Sequence, residues 1–562
     1  MSVLRGIGVG RGAAVGPVAV ARPVPALPAE ERTDPEVADA VVADALAAIE
    51  AVADALDQHA ARAEGARAEV LAATATMARD RALASDVEQR IRGGAGPAHA
   101  VRDAVEAVCA MLEAAGGLFA ERTTDLRSVG DRVVARLLGQ PEPGVPALDV
   151  PSVVVAEDLS PADTAGLSPD ELLALVTERG GPTSHTAIVA RQLGVPCLVR
   201  VPGAAALEPG TRVAVDAAAG ELVVDPPEDL VERLVARQAA LAALAEDTAP
   251  GATADGHPVA LLANVGDVAS GVAAAATAVE GVGLLRTEVL FLDRRSAPTL
   301  EEQAAAYAKV LRAFGGRKVV VRTLDAGADK PLAFVPHEAE ENPALGVRGY
   351  RLVRTAPELL DTQLAALAEA ARRTGAEPWV MAPMIATPAE AAQFRERARA
   401  AGLTTVGVMV EVPSAALQAA EVLAEVDFVS LGTNDLAQYT MATDRLRGSL
   451  DDLLDPWQPA VLALVARTAA AGAAAGRPVG VCGESAADPV MALVLAGLGV
   501  TSLSMAPSAV PAVRFALRRH TRAATEEIAR AATAAPDAGR ARAAATALVA
   551  PDVREVLGLD GA

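Results

Sequence analysis

A histidine framed by glycines and hydroxyl residues is the first group in this chain that could carry out chemistry. His185 lies in the segment 180–186, GGPTSHT, which follows an apolar run and leads into a helical pattern. The glycines let the backbone approach a ligand closely, and a helix start favours an anion. A phosphorylated imidazole is such an anion, so we interpret His185 as a nucleophile that carries a phosphoryl group. The alternative is a capped helix start whose histidine packs locally.

A second group of chemically useful residues belongs to a repeating pattern in the C-terminal half. Short apolar runs alternate there with helical patterns, which predicts a (β/α)8 barrel of the TIM type. Reacting groups of such barrels lie at the carboxyl ends of the strands. The predicted strands are 259–263, 282–285, 319–322, 379–383, 406–410, 428–431, 479–482 and 502–505.

Polar residues gather where these predicted strands end. Guanidinium groups suit phosphate and carboxylate, and the carboxylates Glu411 and Asp435 suit Mg²⁺ when substrate and water complete its oxygen ligands. Singly, an arginine at a strand end is more often a surface ion pair, and a cysteine such as Cys482 is more often a core residue. Their recurrence at one end of successive strands predicts an anion and metal site. The other members are Arg286, Arg322, Lys330, Arg348, Asn434 and Arg445.

The sequence patterns of the segments that carry His185 and the strand-end residues predict an α/β multidomain protein. Residues 1–24 contain one short strand and complete an α/β domain formed by residues 141–225, which carries His185. Residues 25–140 have a helical period and predict an inserted antiparallel bundle. Residues 226–250 begin with two prolines and predict one exposed, charged helix that acts as a swivel arm. Residues 251–562 contain the barrel.

The amino-acid composition of the chain limits the classes of molecule that the protein could bind. The net charge of −22 argues against nucleic acids and anionic membrane surfaces as partners and favours a small basic protein. Three cysteines that lie far apart predict neither a disulfide framework nor a zinc site. The N-terminus lacks the pattern of a signal peptide, and the apolar runs are shorter than a membrane span. We therefore expect a cytoplasmic protein without a membrane segment.

The motifs of both halves together resemble the Enzyme I family of the bacterial phosphoenolpyruvate:sugar phosphotransferase system. The resemblance covers nearly the whole chain. It is carried by GGPTSHT at 180–186, GLLRTE at 283–288, ENP at 341–343 with Arg348, GTNDL at 432–436 and CGE at 482–484.

The resemblance implies a phosphoenolpyruvate-protein phosphotransferase. His185 would take a phosphoryl group from phosphoenolpyruvate and pass it to a histidine of the carrier protein HPr, the first step of sugar uptake. The bundle would be the HPr-binding domain, and the barrel would form a homodimer. Glu411 and Asp435 match the family's Mg²⁺ ligands, and Cys482 matches the acid that protonates the enolate carbon. Substrate-binding residues would be Arg286, Arg322, Lys330, Arg348, Asn434 and Arg445.

Two other functions have the same motifs in part. A dikinase or synthase of the pyruvate phosphate dikinase type would need an ATP-grasp domain, but the helical block at 25–140 is too short and lacks a glycine-rich nucleotide loop. A non-catalytic scaffold would be favoured if Cys482, Arg286 or Glu411 were replaced, and all three are present. A phosphoryl adduct formed with phosphoenolpyruvate and Mg²⁺ would distinguish an enzyme from a scaffold.

Overall fold

The structure is a computed structural model of the chain, and it divides the chain into two compact units. The N-terminal unit comprises residues 1–240 with 557–562, and the barrel unit comprises residues 241–556. The residues that the structure describes are 2–10, 12–29, 32–62, 66–115, 123–146, 148, 150–159, 163–164, 167, 170–181, 184–292, 294–327, 332–335, 340–444 and 448–559.

Helices make up most of the first half of the N-terminal unit. They pack around a core of small and medium apolar side chains, in which Val52, Leu71 and Val101 are buried. Alanine spaced at helical period allows this close approach of neighbouring helices, and Asp80 caps one of them by accepting a hydrogen bond from the Ala82 N–H. The helices are Ala38–Arg62, Ala66–Ala78, Arg81–Arg92, Pro97–Ala115 and Thr123–Leu137.

An eight-stranded sheet within the described residues forms the core of the second part of this unit. Its strand order is β1-β8-β7-β3-β4-β5-β6-β2. Strands β3, β4, β5 and β6 run parallel, and the flanking pairs are antiparallel. The strands are β1 Ser2–Arg5, β2 Ile7–Val9, β3 Ala13–Val20, β4 Ser152–Ala156, β5 Leu172–Thr177, β6 Cys197–Val199, β7 Arg212–Asp216 and β8 Glu221–Val224.

Glycines near the N-terminus made part of this sheet difficult to predict from the sequence. We predicted one short strand in the first 24 residues, whereas β1, β2 and β3 all form there. Gly8 shows why small residues stand in β2, because a Cβ at this position would lie 1.7 Å from the carbonyl oxygen of Ala217. The glycines therefore serve close backbone packing and break the alternating pattern that normally reveals a strand.

The predicted charged helix forms as Glu228–Ala243, and most of its residues are exposed, but one of its faces is packed. Val231 and Leu234 are buried, because their spacing gives the helix one apolar face. Leu234 packs against the sheet of the N-terminal unit, and Arg237 forms an ion pair of 2.6 Å with Asp216. The division between the two units falls after Ala240, inside this helix. Most of the helix therefore belongs to the N-terminal unit.

The predicted (β/α)8 barrel is confirmed in the second unit. Strands β9 to β16 are parallel and close into a barrel in sequence order. Their buried faces read as continuous apolar runs, which is typical of parallel strands covered by helices. The strands are β9 Ala260–Val265, β10 Gly281–Leu285, β11 Lys318–Arg322, β12 Trp379–Ala382, β13 Thr405–Val410, β14 Phe428–Leu431, β15 Val479–Val481 and β16 Ser502–Met505.

Helices surround the barrel and follow the strands. In the described residues, none is long and apolar enough to cross a bilayer. The α-helices are Val268–Ala275, Leu300–Phe314, Pro357–Thr374, Pro388–Ala400, Pro413–Leu417, Ala419–Glu425, Thr433–Met441, Pro459–Ala475, Pro489–Gly497, Val510–Arg518, Arg522–Thr533, Ala538–Ala547 and Pro551–Leu557.

An aromatic cluster lies at the amino ends of the barrel strands. The Trp379 and Phe428 rings are 4.9 Å apart, and the Lys318 ammonium lies 3.9 Å from the centroid of the Trp379 ring. No carboxylate within the described residues pairs with Lys318. Burial lowers the pKa of Lys318 to about 8. The cation–π contact offsets part of the cost of burying this charge.

Candidate active site

The segment around His185 forms a tight loop that leads into a helix. The loop follows β5, and the helix His185–Leu193 starts at the histidine. Gly180 has a φ of +89°, which glycine adopts without strain. The Ser184 N–H donates to the Gly181 carbonyl at 2.9 Å, and the Ala187 N–H donates to Ser184 Oγ at 3.4 Å. The side chain of His185 lies outside the described residues.

A cavity of about 830 Å³ borders this loop within the N-terminal unit. Gly180, Ser184 and Thr186 line it on the side of the loop, and Arg127 and Asp131 line it on the side of the bundle. The hydroxyl of Thr186 is buried and finds no hydrogen-bond partner within the described part of the chain. A buried polar group without a partner is costly, so this position suits a ligand that supplies one.

Arg322 lies at the carboxyl end of β11 in a buried group of charges. Its guanidinium forms ion pairs with Glu288 at 2.9 Å and with Asp325 at 3.2 Å. The Glu288 carboxylate also accepts the Asp325 backbone N–H at 3.0 Å. The buried Nε of Arg322 has no hydrogen-bond partner among the residues that the structure describes. A buried donor that lacks an acceptor is suited to an anionic substrate.

Arg348 joins this group from the loop after β11. Its guanidinium forms a two-pronged pair with Asp325, with both distances 3.0 Å, and a further bond of 3.0 Å to Asp435. Arg348 is 1% exposed. The loop is fixed behind it, since Gly349 has a φ of +59° and a Cβ there would lie 2.9 Å from Met384. The guanidinium of Arg348 therefore orients Asp325 and Asp435 rather than binding the substrate directly.

Glu411 follows β13 and is buried. Its Oε1 accepts the Met384 N–H at 2.6 Å, and Met384 has a φ of +59°, a strained value for this residue. Burial, followed by repulsion from Asp435 and Asp325, raises the pKa of Glu411 to about 8. Crowded carboxylates of this kind are relieved by a cation.

These donors fit a hard cation only in part. Glu411 and Asp435 offer two carboxylates, and oxygen atoms of substrate and water would have to complete the ligands of Mg²⁺. No cluster of three or more histidine, cysteine or acidic side chains suited to a metal occurs in the described residues. The donor set is therefore consistent with Mg²⁺ held jointly by protein and substrate, as is usual for this ion.

Cys482 lies directly after β15, with its thiol facing the barrel interior. It packs with Leu284, Met409 and Phe428, and the thiol donates to the Leu431 carbonyl at 3.6 Å. Burial raises the pKa of Cys482 to about 11. The thiol is therefore protonated at neutral pH and retains a proton that it could deliver.

The remaining predicted site residues have different surroundings. Arg286 is exposed, and its backbone N–H donates to the Val265 carbonyl at 2.9 Å. Asn434 is half-buried and accepts the Glu484 N–H at 3.1 Å through its side-chain oxygen. Lys330 and Arg445 lie outside the described residues.

Sequence reasoning did not assign roles to the carboxylates that hold the arginines. Glu288 and Asp325 each contact Arg322, and Asp325 also contacts Arg348. Gln363 was also missed, although its side chain accepts the Leu324 N–H at 2.9 Å and donates to Thr287 at 3.1 Å. The spacing of Arg322 and Asp325 was the one local signal, since an acidic residue stands three positions after a predicted phosphate ligand.

Comparison with known families covers both units. Residues 5–122 match the family described as PEP-utilising enzyme, N-terminal, and residues 148–220 match PEP-utilising enzyme, mobile domain. Residues 241–522 match PEP-utilising enzyme, PEP-binding domain. The histidine loop thus falls in the mobile domain and the buried charges fall in the PEP-binding domain.

Several curated relatives of this chain have the same activity name. The phosphoenolpyruvate-protein phosphotransferase of Streptomyces coelicolor is 52% identical over 98% of this chain and 99% of that protein. The Haloferax volcanii enzyme of the same name is 41% identical over 78% of this chain and 79% of its own. That of Geobacillus stearothermophilus is 36% identical over 90% and 91%. The chain therefore belongs to the phosphoenolpyruvate-protein phosphotransferase family, Enzyme I of the phosphotransferase system, and it is an enzyme of phosphoenolpyruvate-dependent phosphoryl transfer.

Proposed function

We propose that His185 receives the phosphoryl group of phosphoenolpyruvate and passes it to a histidine of HPr. The observation that carries the proposal is the buried charge group at the mouth of the barrel, in which the Nε of Arg322 lacks a partner within the described residues. A phosphate oxygen would satisfy this donor. Phosphoryl transfer depends mostly on positioning and charge neutralisation, which a rigid group of this kind supplies.

Two arginines with different surroundings would bind the phosphate in this proposal. Arg322 is held by Glu288 and Asp325 and offers a fixed guanidinium, whereas Arg286 is exposed and adapts to the substrate. Lys330, Arg445 and Asn434 complete the substrate site on the strength of the family motifs alone. Arg348 acts through Asp325 and Asp435, because its donors are engaged by them.

Glu411 and Asp435 would hold Mg²⁺ beside the substrate. The ion supplies charge neutralisation for the phosphate and carboxylate oxygens. The chain's own part is to hold both carboxylates still, through the Met384 N–H for Glu411 and through Arg348 for Asp435.

Phosphoryl transfer to His185 leaves an enolate that needs a proton, and Cys482 is the proposed source of that proton. The P–O bond to the enol oxygen breaks as a bond from phosphorus to the imidazole nitrogen of His185 forms. The enolate left behind becomes pyruvate when its methylene carbon takes a proton. The buried thiol of Cys482 is protonated at neutral pH and is the proposed donor.

The partners follow from charge and from the family. HPr would dock on the helical bundle beside the cavity that Thr186 and Arg127 line. The net charge of −22 favours a basic docking surface on the carrier. We further propose a homodimer through the barrel and a cytoplasmic location.

Transfer of label from radiolabelled phosphoenolpyruvate tests the function directly. The wild-type chain should take up label only with Mg²⁺ and lose it to added HPr, and the His185→Ala protein should take up none. His257→Ala is the matched control and should label fully. Label that required ATP would mean that the chain is a dikinase, and full labelling of His185→Ala would refute the assignment of the histidine.

A further inference from the structure

We propose that Arg200 is a positioning residue for phosphoryl transfer at His185. The inference rests on the proposed role of His185 and adds a residue that lies fifteen positions after that histidine, beyond the motif. Arg200 directly follows β6, which pairs with β5, and β5 leads into the histidine loop. The sheet therefore brings the arginine to the base of the loop.

The side chain of Arg200 lies along the two glycines that open the loop. Its Nε donates to the Gly180 carbonyl at 3.0 Å. Its Nη2 lies 3.6 Å from the point where a Cβ of Gly181 would stand. The contact fixes the peptide between Gly180 and Gly181, which has no side chain of its own to hold it.

The backbone of Arg200 is strained. Its φ is +57°, a value that glycine adopts freely and arginine does not. Strain at a single residue indicates a function when the side chain accounts for it. Met384 is a parallel case, because its φ is +59° and its N–H binds the proposed metal ligand Glu411. Asp225, with a φ of +47°, is a contrast, since it is exposed and follows β8, which does not pair with β5.

The charge of Arg200 is available at the loop. The side chain is exposed, and no carboxylate in the described part of the chain forms an ion pair with it. Phosphorylation of His185 would bring negative charge to the helix start, where the buried hydroxyl of Thr186 also has no hydrogen-bond partner among the residues described. A fixed guanidinium beside the loop favours the phosphorylated form over the free imidazole.

The test compares two glycine substitutions in the full-length protein. Arg200→Gly and Asp225→Gly each relieve a positive φ, so both should leave the unfolding temperature unchanged or raise it. Arg200→Gly should also slow labelling of His185 by at least about tenfold and speed hydrolysis of the phosphohistidine, because the loop loses its clamp and its charge. Asp225→Gly should label at the wild-type rate. Arg200→Lys keeps the charge without the Nε bond and should fall between.

Each outcome decides the inference. An Arg200→Gly protein that labels as fast as the wild type overturns it, and so does one that loses stability together with activity, because Arg200 would then be structural. The proposed function is judged separately, by whether wild type labels and His185→Ala does not.

Discussion

At the barrel mouth, charged side chains are buried and hold one another. Arg348 is 1% exposed and binds Asp325 and Asp435 together. At the histidine loop, the charged groups are exposed, and Arg200 binds a backbone carbonyl rather than a carboxylate. The first region is proposed to serve one small anion, and the second is proposed to serve two successive phosphoryl partners. A substrate site gains from groups fixed in advance, whereas a carrier loop needs groups that solvent and partner can reach.

The largest expected effect follows from breaking a buried pair. Arg348→Leu leaves Asp325 and Asp435 without their shared partner and should destabilise the barrel unit by about 3–5 kcal/mol. Arg179→Ala, which removes the exposed pair with Glu157, should cost less than about 1 kcal/mol. Differential scanning calorimetry of the full chain measures both. Equal effects of the two substitutions would remove the contrast between the regions.

The next effect separates the chemistry of the two regions. Cys482→Ser should slow pyruvate formation by about a hundredfold or more, while phosphoenolpyruvate still binds. Exchange of a phosphoryl group between His185 and HPr should continue at the wild-type rate, because it needs no proton at carbon. Cys109→Ser, a buried cysteine of the bundle, is the control. Wild-type turnover of Cys482→Ser would exclude the thiol as the acid.

The pH dependence of this step has a definite direction. The pKa of Cys482 is raised to about 11 by burial, so the donor stays protonated at neutral pH and loses its proton only as pH rises toward that value. Turnover should therefore hold through mildly alkaline pH and fall beyond it, provided that Cys482 supplies the proton.

The smallest effect concerns Lys318, a half-buried charge that has no carboxylate partner among the described residues. The pKa of Lys318 is lowered from 10.5 to about 8, so between these values the unfolded chain binds more protons than the folded barrel. Stability from this group therefore rises with pH across that window and is lowest below it. The wild-type unfolding temperature should therefore gain roughly a few °C across this pH window, and Lys318→Met should not show this gain. Lys309→Met, the control, should show the gain as the wild type does. If the unfolding temperatures of wild type and Lys318→Met changed with pH in the same way, the lowered pKa of Lys318 would be contradicted.

The barrel was predictable because its signals are local. Parallel strands covered on both faces read as apolar runs, and β14 and β16 begin and end as expected. The short strands β1 and β2 were missed, because Gly6 between them and Gly8 within β2 serve close backbone approach and interrupt the apolar pattern. The packing of Glu228–Ala243 was missed because the charged residues of its first turns favoured an exposed helix, although Val231 and Leu234 lie on one apolar face.

The site was predictable as a set of residue types and less so as a set of contacts. Arg322, Glu411, Asp435 and Cys482 lie at strand ends that the pattern identified. The partners of Arg348 depend on which loops meet, and Asp435 is 87 positions away from it. Nothing in the sequence signals that Arg200 would adopt a positive φ, since an arginine there reads as an ordinary surface residue.

The distribution of aromatic residues gives this protein a one-sided optical signature. Trp379 and Trp457 are its two tryptophans, and they belong to the barrel unit together with the three tyrosines, Tyr307, Tyr350 and Tyr439. Intrinsic fluorescence therefore reports on one half of the molecule and is silent about the other. A tryptophan introduced into the bundle would give the second half an emission of its own, so that both could be followed in a single uncut chain.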